Sequence, residues 1–240
     1  MIHFEHVSKS FGEKKAVDDL TLTIEDGKVF GFIGPNGAGK TTTIKMLTGI
    51  LEPDSGVVTL NGVDITRDPI QAKRMFGYVP DTFDMYERLT GMEYLRFMGD
   101  IYGVDARKRK EHIDRYLELF SLTDAAGQQI RSYSHGMKQK LAITGALMHE
   151  PSIWILDEPM VGLDPQSVFM LKEEMRKHAE SGRTVFFSTH VLDVAERLCD
   201  EIGIINKGKL IANGTLDELR HGETGSTLEE LFLELVEKEA

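Results

Sequence analysis

The sequence predicts an α/β fold. Its parallel-sheet core carries an N-terminal antiparallel β subdomain and is interrupted by an inserted α-helical subdomain. Three observations predict it. Residues 29–33 are almost wholly apolar and run straight into a glycine-rich loop, as a strand buried on both faces would. Residues 153–156 and 184–188 are further apolar, β-rich runs of buried-strand length, separated by a helix-length segment at about 166–181. Between these halves the pattern turns helical.

Taken in order, Leu20, Leu22 and Ile24 alternate with polar residues, as in a half-buried strand. Val58 and Leu60 repeat the alternation, and Asn61-Gly62 marks a hairpin turn. Residues 41–51, after the glycine-rich loop, read as a helix. Thr90-Gly-Met-Glu93 is a capping box opening a helix with Tyr94, Leu95, Met98, Ile101 and Tyr102 on one side. Ile113, Tyr116, Leu117 and Phe120 stripe a second helix. The basic run 107–110 at its start reads as a solvated face. Residues 202–206 and 209–212 form a hairpin around Lys207-Gly208. The expected division is a core with its β subdomain at 1–83 and 149–221, a helical subdomain at 84–148, and an amphipathic C-terminal helix at 226–240. In that tail Leu228, Leu231, Phe232, Leu235 and Val236 fall at helical spacing opposite an acidic face, which suits packing on the chain's own core or self-association.

The 240 residues carry a net charge of −11, which argues against a nucleic-acid partner and against adsorption to an anionic membrane. The single cysteine, Cys199, excludes an internal disulfide framework, suits a reducing compartment and reads as a small core residue. No run approaches the ~18 apolar residues of a membrane span. The N-terminus has no apolar h-region, so secretion is not expected. If the protein works at a membrane, another chain must do the spanning.

The chemistry begins at Gly34-Pro35-Asn36-Gly37-Ala38-Gly39-Lys40-Thr41, with Thr42 behind it. Glycines let successive backbone N–H groups curl toward one anion, and the following helix adds its positive end. Lys40 can reach β- and γ-phosphates, and the Thr41 hydroxyl can bind Mg²⁺. The strand before and the helix after complete a phosphate loop, so the core resembles a P-loop NTPase of RecA-like form. The second motif is Asp157-Glu158 at the end of the 153–156 strand, the end where open α/β sheets bind ligands. Asp157 can enter the Mg²⁺ shell, which leaves Glu158 free to polarise a water for attack on the γ-phosphate.

Between these lies Tyr133-Ser134-His135-Gly136-Met137, and beyond them Gly162-Leu163-Asp164-Pro165 and Ser188-Thr189-His190. This ordered set resembles the signature, D-loop and switch histidine of ATP-binding-cassette (ABC) ATPases, with YSHGM in place of the commoner LSGGQ. The form is similar to ATPase subunits of daunorubicin-resistance-type exporters, in which the membrane subunit is a separate chain. The resemblance implies ATP and Mg²⁺ as cofactors and a head-to-tail dimer, expected to be a homodimer. In it Ser134, His135 and Gly136 contact the ATP held by the other copy, and Asp164 crosses the interface. Without the resemblance, the spacing favours reading Ser134 as a plain helix N-cap. The resemblance also makes His190 a brace for Glu158 and a γ-phosphate ligand, and Phe11 the aromatic stacked on adenine. The family usually places Gln where Asp81 stands. Asp is shorter and charged, and adds a third carboxylate near the metal.

The function expected is an ATP-hydrolysing subunit of an ABC transporter, with an integral-membrane permease as a further partner. It would sit on the cytoplasmic face of the membrane through that permease. Phe83, Met85 and Tyr86, read as exposed, are the candidate docking surface, against the reading of a loop packed on its own helices. Two other classes compete. One is a soluble ABC ATPase acting as an assembly or regulatory switch. The other is a GTPase or small-molecule kinase, which the absence of an Asp after Asn206-Lys207-Gly208 and the presence of the YSHGM and His190 pair disfavour.

Overall fold

The computed structural model describes residues 1–220 and 227–238. The last core residue expected, 221, and the tail positions 226 and 239–240 lie outside them. In chain order, β1 (Ile2–Phe11) and β2 (Lys14–Ile24) pair antiparallel, and β3 (Val29–Ile33) enters a second sheet. Next come α1 (Lys40–Leu47), β4 (Ser55–Leu60), β5 (Val63–Asp64), α2 (Pro69–Lys73) and β6 (Phe76–Val79). The helical segment holds α3 (Gly91–Ile101), α4 (Ala106–Leu119) and α5 (His135–Leu147). The chain returns through β7 (Ile153–Asp157), α6 (Pro165–Glu180), β8 (Thr184–Thr189), α7 (Leu192–Leu198), β9 (Glu201–Asn206), β10 (Lys209–Gly214), α8 (Leu216–Leu219) and α9 (Leu228–Lys238).

Two sheets result. The smaller, ordered β2-β1-β4-β5, is antiparallel. The larger is ordered β10-β9-β3-β8-β7-β6, with parallel pairing from β9 to β6 and an antiparallel edge at β10. Both faces of the parallel sheet are covered, so its strands are apolar on both sides. On β7, Ile153 and Ile155 face the core shared with the antiparallel sheet, whereas Trp154 and Leu156 face the core shared with the helices. Phe30 and Phe186 stack across β3 and β8 at 5.7 Å on the first of these faces.

Local signals explain most boundaries. Asn61 and Gly62 both take positive φ (48° and 79°), the requirement of the tight hairpin turn their types favour. Lys207-Gly208 does the same between β9 and β10. The Thr90–Glu93 capping box forms in full. Helix α1 stops at Leu47, short of the expected 51, because Gly49 follows in a left-handed conformation (φ 64°). The basic run lies in the first turn of α4 and pairs with Asp100, Glu111, Asp114 and Glu150, the solvated face expected of it. Cys199 follows α7 with its Sγ against Gly31 of β3, and burial pushes its thiol pKa well up. In α9, Leu228, Leu231, Phe232 and Leu235 pack against the cluster of Ile33, Ala195, Ile202 and Ile204.

Candidate functional site

Parallel strands collect the motifs. The phosphate loop follows β3, Asp157 ends β7, His190 follows β8, and Asp81 lies two residues beyond β6. All stand at the C-terminal edge of one sheet, where ligands bind in open α/β folds. A cleft of about 320 Å³ opens there, lined by Phe11, Lys14, Ala16, Asn36, Gly37, Gly39, Lys40, Thr41, Thr42, Asp81 and Glu158.

The loop's shape is dictated by glycine. Gly39 sits at φ 118°, and a β-carbon there would lie 2.4 Å from the Ala16 carbonyl. A β-carbon on Gly34 would lie 2.3 Å from the Ile205 carbonyl. Ala38 is buried, and its N–H donates to the Pro35 carbonyl at 3.2 Å, closing the loop. As the N-cap of α1, Gly39 offers no side-chain oxygen to the helix's first N–H groups, so the positive end of α1 faces the cleft. Lys40 is only 7% exposed. Its Nζ donates to the Gly34 carbonyl at 2.7 Å and the Pro35 carbonyl at 3.3 Å, and lies 3.6 Å from Glu158 Oε1.

The carboxylates are held differently. Asp157 is 1% exposed. Its Oδ1 accepts from the Ser188 hydroxyl at 2.5 Å, and its buried Oδ2 has no hydrogen bond within the described residues. Burial raises its carboxyl above the usual range. The Ser188 and Thr41 hydroxyls oppose that rise, while Asp81 and Glu158 add to it. Glu158 stands in the left-handed region (φ 49°), a strain concentrated at functional positions. Its backbone N–H donates to Ser188 Oγ at 3.1 Å, and its Oε1 accepts from His190 Nδ1 at 3.0 Å.

The chemistry of these donors fits a Mg²⁺–nucleotide. Among the described residues no cluster of three or more His, Cys, Asp or Glu side chains could hold a metal by itself. Mg²⁺ prefers one or two carboxylates and completes its octahedron with phosphate and water. The unpartnered Asp157 Oδ2, the Thr41 hydroxyl and the neighbouring Asp81 are such a partial set. Phe11, 55% exposed at the cleft's edge, presents a ring on which a base can stack.

The signature segment lies elsewhere. Ser134, His135, Gly136 and Asp164 are absent from the cleft lining. Ser134 caps α5, its Oγ accepting from the Met137 N–H at 3.3 Å. Asp164 caps α6, accepting from the Ser167 N–H at 2.9 Å and from Lys140 Nζ at 2.9 Å. The Ser167 and Lys140 contacts hold its carboxyl far below the ordinary range. The His135 ring lies 5.5 Å from that of Phe83 and covers Gly162, where a β-carbon would come within 2.5 Å of it. Phe83 and Met85 are half-buried, in contrast to the exposure expected of them, because Phe83 packs its ring on the signature histidine and both pack on the helical core, whereas Tyr86 is exposed.

A protein-family model described as ABC transporter matches residues 17–161, more than half of the chain. This chain belongs to the ABC transporter ATP-binding family. It is 39% identical over 231 residues to the linearmycin resistance ATP-binding protein LnrL of Bacillus subtilis, covering 96% of this chain and 74% of that one. To the Nod factor export ATP-binding protein I of Paraburkholderia xenovorans it is 38% identical over 231 residues, covering 96% and 76%. A solved ATP-binding subunit of an ABC transporter superposes with a TM-score of 0.94 at 36% identity, covering 98% of this chain and 99% of that one. Members of this family hydrolyse ATP, and the chain is an ATP-binding subunit of such a transporter. No described helix is long and apolar enough to cross a membrane.

Lys14, Ala16 and Ser188 are site residues that the sequence reading missed. Nothing in the local sequence marks Lys14, which reaches the cleft through the turn after Phe11. Ser188 was visible as the polar last residue of an apolar strand run, but its partner is set by pairing across the sheet.

Proposed function

We propose that this ABC transporter subunit hydrolyses ATP with Mg²⁺, drives export, and works as a head-to-tail homodimer bound to a separate integral-membrane permease at the cytoplasmic face. One observation carries the reading. The cleft holds the phosphate loop, Asp81 and Glu158, but none of the signature residues. A site built this way is half complete, and Ser134, His135, Gly136 and Asp164 of a second copy are the groups suited to close it.

In that assembly the loop's N–H groups and Lys40 hold the phosphates, and Phe11 carries the base. Thr41 and Asp157, with Asp81 beside them, would hold Mg²⁺, which supplies charge neutralisation on the β- and γ-phosphates. Glu158 accepts the proton of the attacking water as general base. His190, bonded to Glu158 Oε1, keeps that carboxylate oriented. The positive end of α5 behind Ser134 offers N–H groups to the γ-phosphate of the partner's nucleotide. Closure on ATP and release after hydrolysis would move the attached permease. The names of the resistance and export relatives support the direction. The permease would dock on the aromatic groove of about 330 Å³ lined in part by Phe83, Met85, Tyr86, Tyr94 and Phe97.

Glu158→Gln tests the core of the proposal. It removes the base but keeps the nucleotide contacts, so turnover should fall at least about 100-fold. Size exclusion with saturating ATP and Mg²⁺ should show a dimer that wild type forms only transiently. A variant that stays monomeric there overturns the head-to-tail site.

A further inference from the structure

We propose that Ser188 is a positioning residue for hydrolysis, whose one hydroxyl sets both Asp157 and Glu158. The inference rests on the ATPase reading above. The parallel register pairs Asp157 of β7 with Ser188 of β8. The two side chains therefore project to the same face at the end of the sheet.

Proton bookkeeping fixes the direction of each bond. The Glu158 N–H can only donate, so Ser188 Oγ accepts it, at 3.1 Å. The hydroxyl's single proton then goes to Asp157 Oδ1, at 2.5 Å. Ser188 is wholly buried, and among the described residues its hydroxyl has no other hydrogen-bond partner. The resulting chain, amide to hydroxyl to carboxylate, polarises in one direction, which strengthens each link.

Two consequences follow. Occupying Oδ1 turns Asp157 so that Oδ2, free of bonds within the described residues, is the oxygen left for the metal or its water. Anchoring the Glu158 amide stabilises the left-handed backbone (φ 49°) that aims this carboxylate toward Lys40 and His190. A serine needed only for packing would spend its hydroxyl on its own stretch of chain. The adjacent Thr189 bonds only locally, accepting from the Val191 N–H two residues on, in the turn into α7, at 3.1 Å. Ser188 gives nothing to its own strand and both of its bonds to the catalytic segment.

The test compares Ser188→Ala and Ser188→Thr with wild type in the full chain. Steady-state ATPase activity gives kcat and KM. Binding of a fluorescent ATP analogue in EDTA reports the phosphate loop alone, and Mn²⁺ binding to the nucleotide-loaded protein, followed by paramagnetic resonance, reports Asp157 without turnover. For Ser188→Ala, kcat and Mn²⁺ affinity should each fall about 10–100-fold, the usual effect of losing a group behind a metal ligand. KM and EDTA binding should stay within about 2-fold, because the loop is untouched. Ser188→Thr keeps the hydroxyl and should recover most of both losses. Wild-type kcat and Mn²⁺ affinity in Ser188→Ala overturn the inference, as does equal damage in the Ala and Thr variants. An inactive wild type overturns the ATPase reading instead, and Ser188 is then judged on Mn²⁺ affinity, where an unchanged Kd sinks it.

Discussion

Among single side chains at the site, Asp157, buried behind the cleft, is the one the apo fold holds against its own preference. It is buried, its Oδ2 has no partner within the described residues, and its pKa is raised chiefly by burial. Its charge therefore destabilises the apo protein at neutral pH and is offset only when ligand arrives. Asp157→Asn keeps the shape and an oxygen for Ser188 while removing the charge. It should raise the apo melting temperature by roughly 2–4 °C per kcal/mol relieved and remove Mg²⁺-dependent hydrolysis. The sign with pH follows from linkage. A raised carboxyl pKa means the folded state prefers the protonated form, so wild type loses this penalty as pH falls through the raised value. The advantage of Asn should shrink from pH 8 toward acid, and thermal melts in which Asn is less stable than Asp at pH 8 would refute the account. Asp157, Glu158, Lys40 and Thr41 were legible in the sequence because each lies beside its strand or helix in the chain. Ser188 was not, because its partner lies 31 positions away and only the β7–β8 register brings the two together.

Among elements, the hairpins and the α3 capping box were readable because each is set by a few adjacent residues. The packing of one element's face against another was not. Phe83 looked exposed in a sequence that cannot show the α5 N-terminus, where His135 receives its ring. The groove beside it is instead exposed at Tyr86 (62%) and Phe97 of α3 (40%), whose rings meet edge to face at 5.7 Å. Under the proposed function these two, rather than Phe83, would be the accessible anchors for a permease helix, as aromatic side chains commonly are. Tyr86→Ser with Phe97→Ser should cost about 2 kcal/mol of docking each, moving the chain from the membrane to the soluble fraction of cells carrying the permease. The ATPase activity of the isolated chain should be unchanged. Undiminished membrane association of the double variant would remove the groove from consideration.

Across the whole molecule, two buried imidazoles pack as neutral rings, one where the helical segment meets the core and one inside the core. His149, just after α5, stacks flat on Tyr102 at the end of α3, with ring centroids 3.7 Å apart, and bonds the Phe76 carbonyl of β6 at 3.1 Å. His178 of α6 packs on Trp154 of β7, one turn from Glu174, which accepts from Arg115 of α4 at 2.5 Å. Burial lowers both histidines to about 4. The fold therefore binds them unprotonated, while the unfolded chain protonates them near 6.5. Stability from these groups is complete above that value and is lost as pH falls from about 6.5 to about 4, with a slope of about 1.4 kcal/mol per pH unit for each. Carboxylates held below their ordinary values, such as Glu87 and Glu150, release their contribution only in stronger acid, and the raised Asp157 acts with the opposite sign, so the loss of stability in the upper part of the window belongs to the histidines. Urea midpoints should drop steeply from pH 6.5 to 5. His178→Gln should remove about half of that slope while lowering stability at pH 7.5, because Gln fills the site less well. A wild-type midpoint flat between pH 7 and 5 would mean that these imidazoles can be protonated without opening the core, and that the packing around them does not rest on their neutrality.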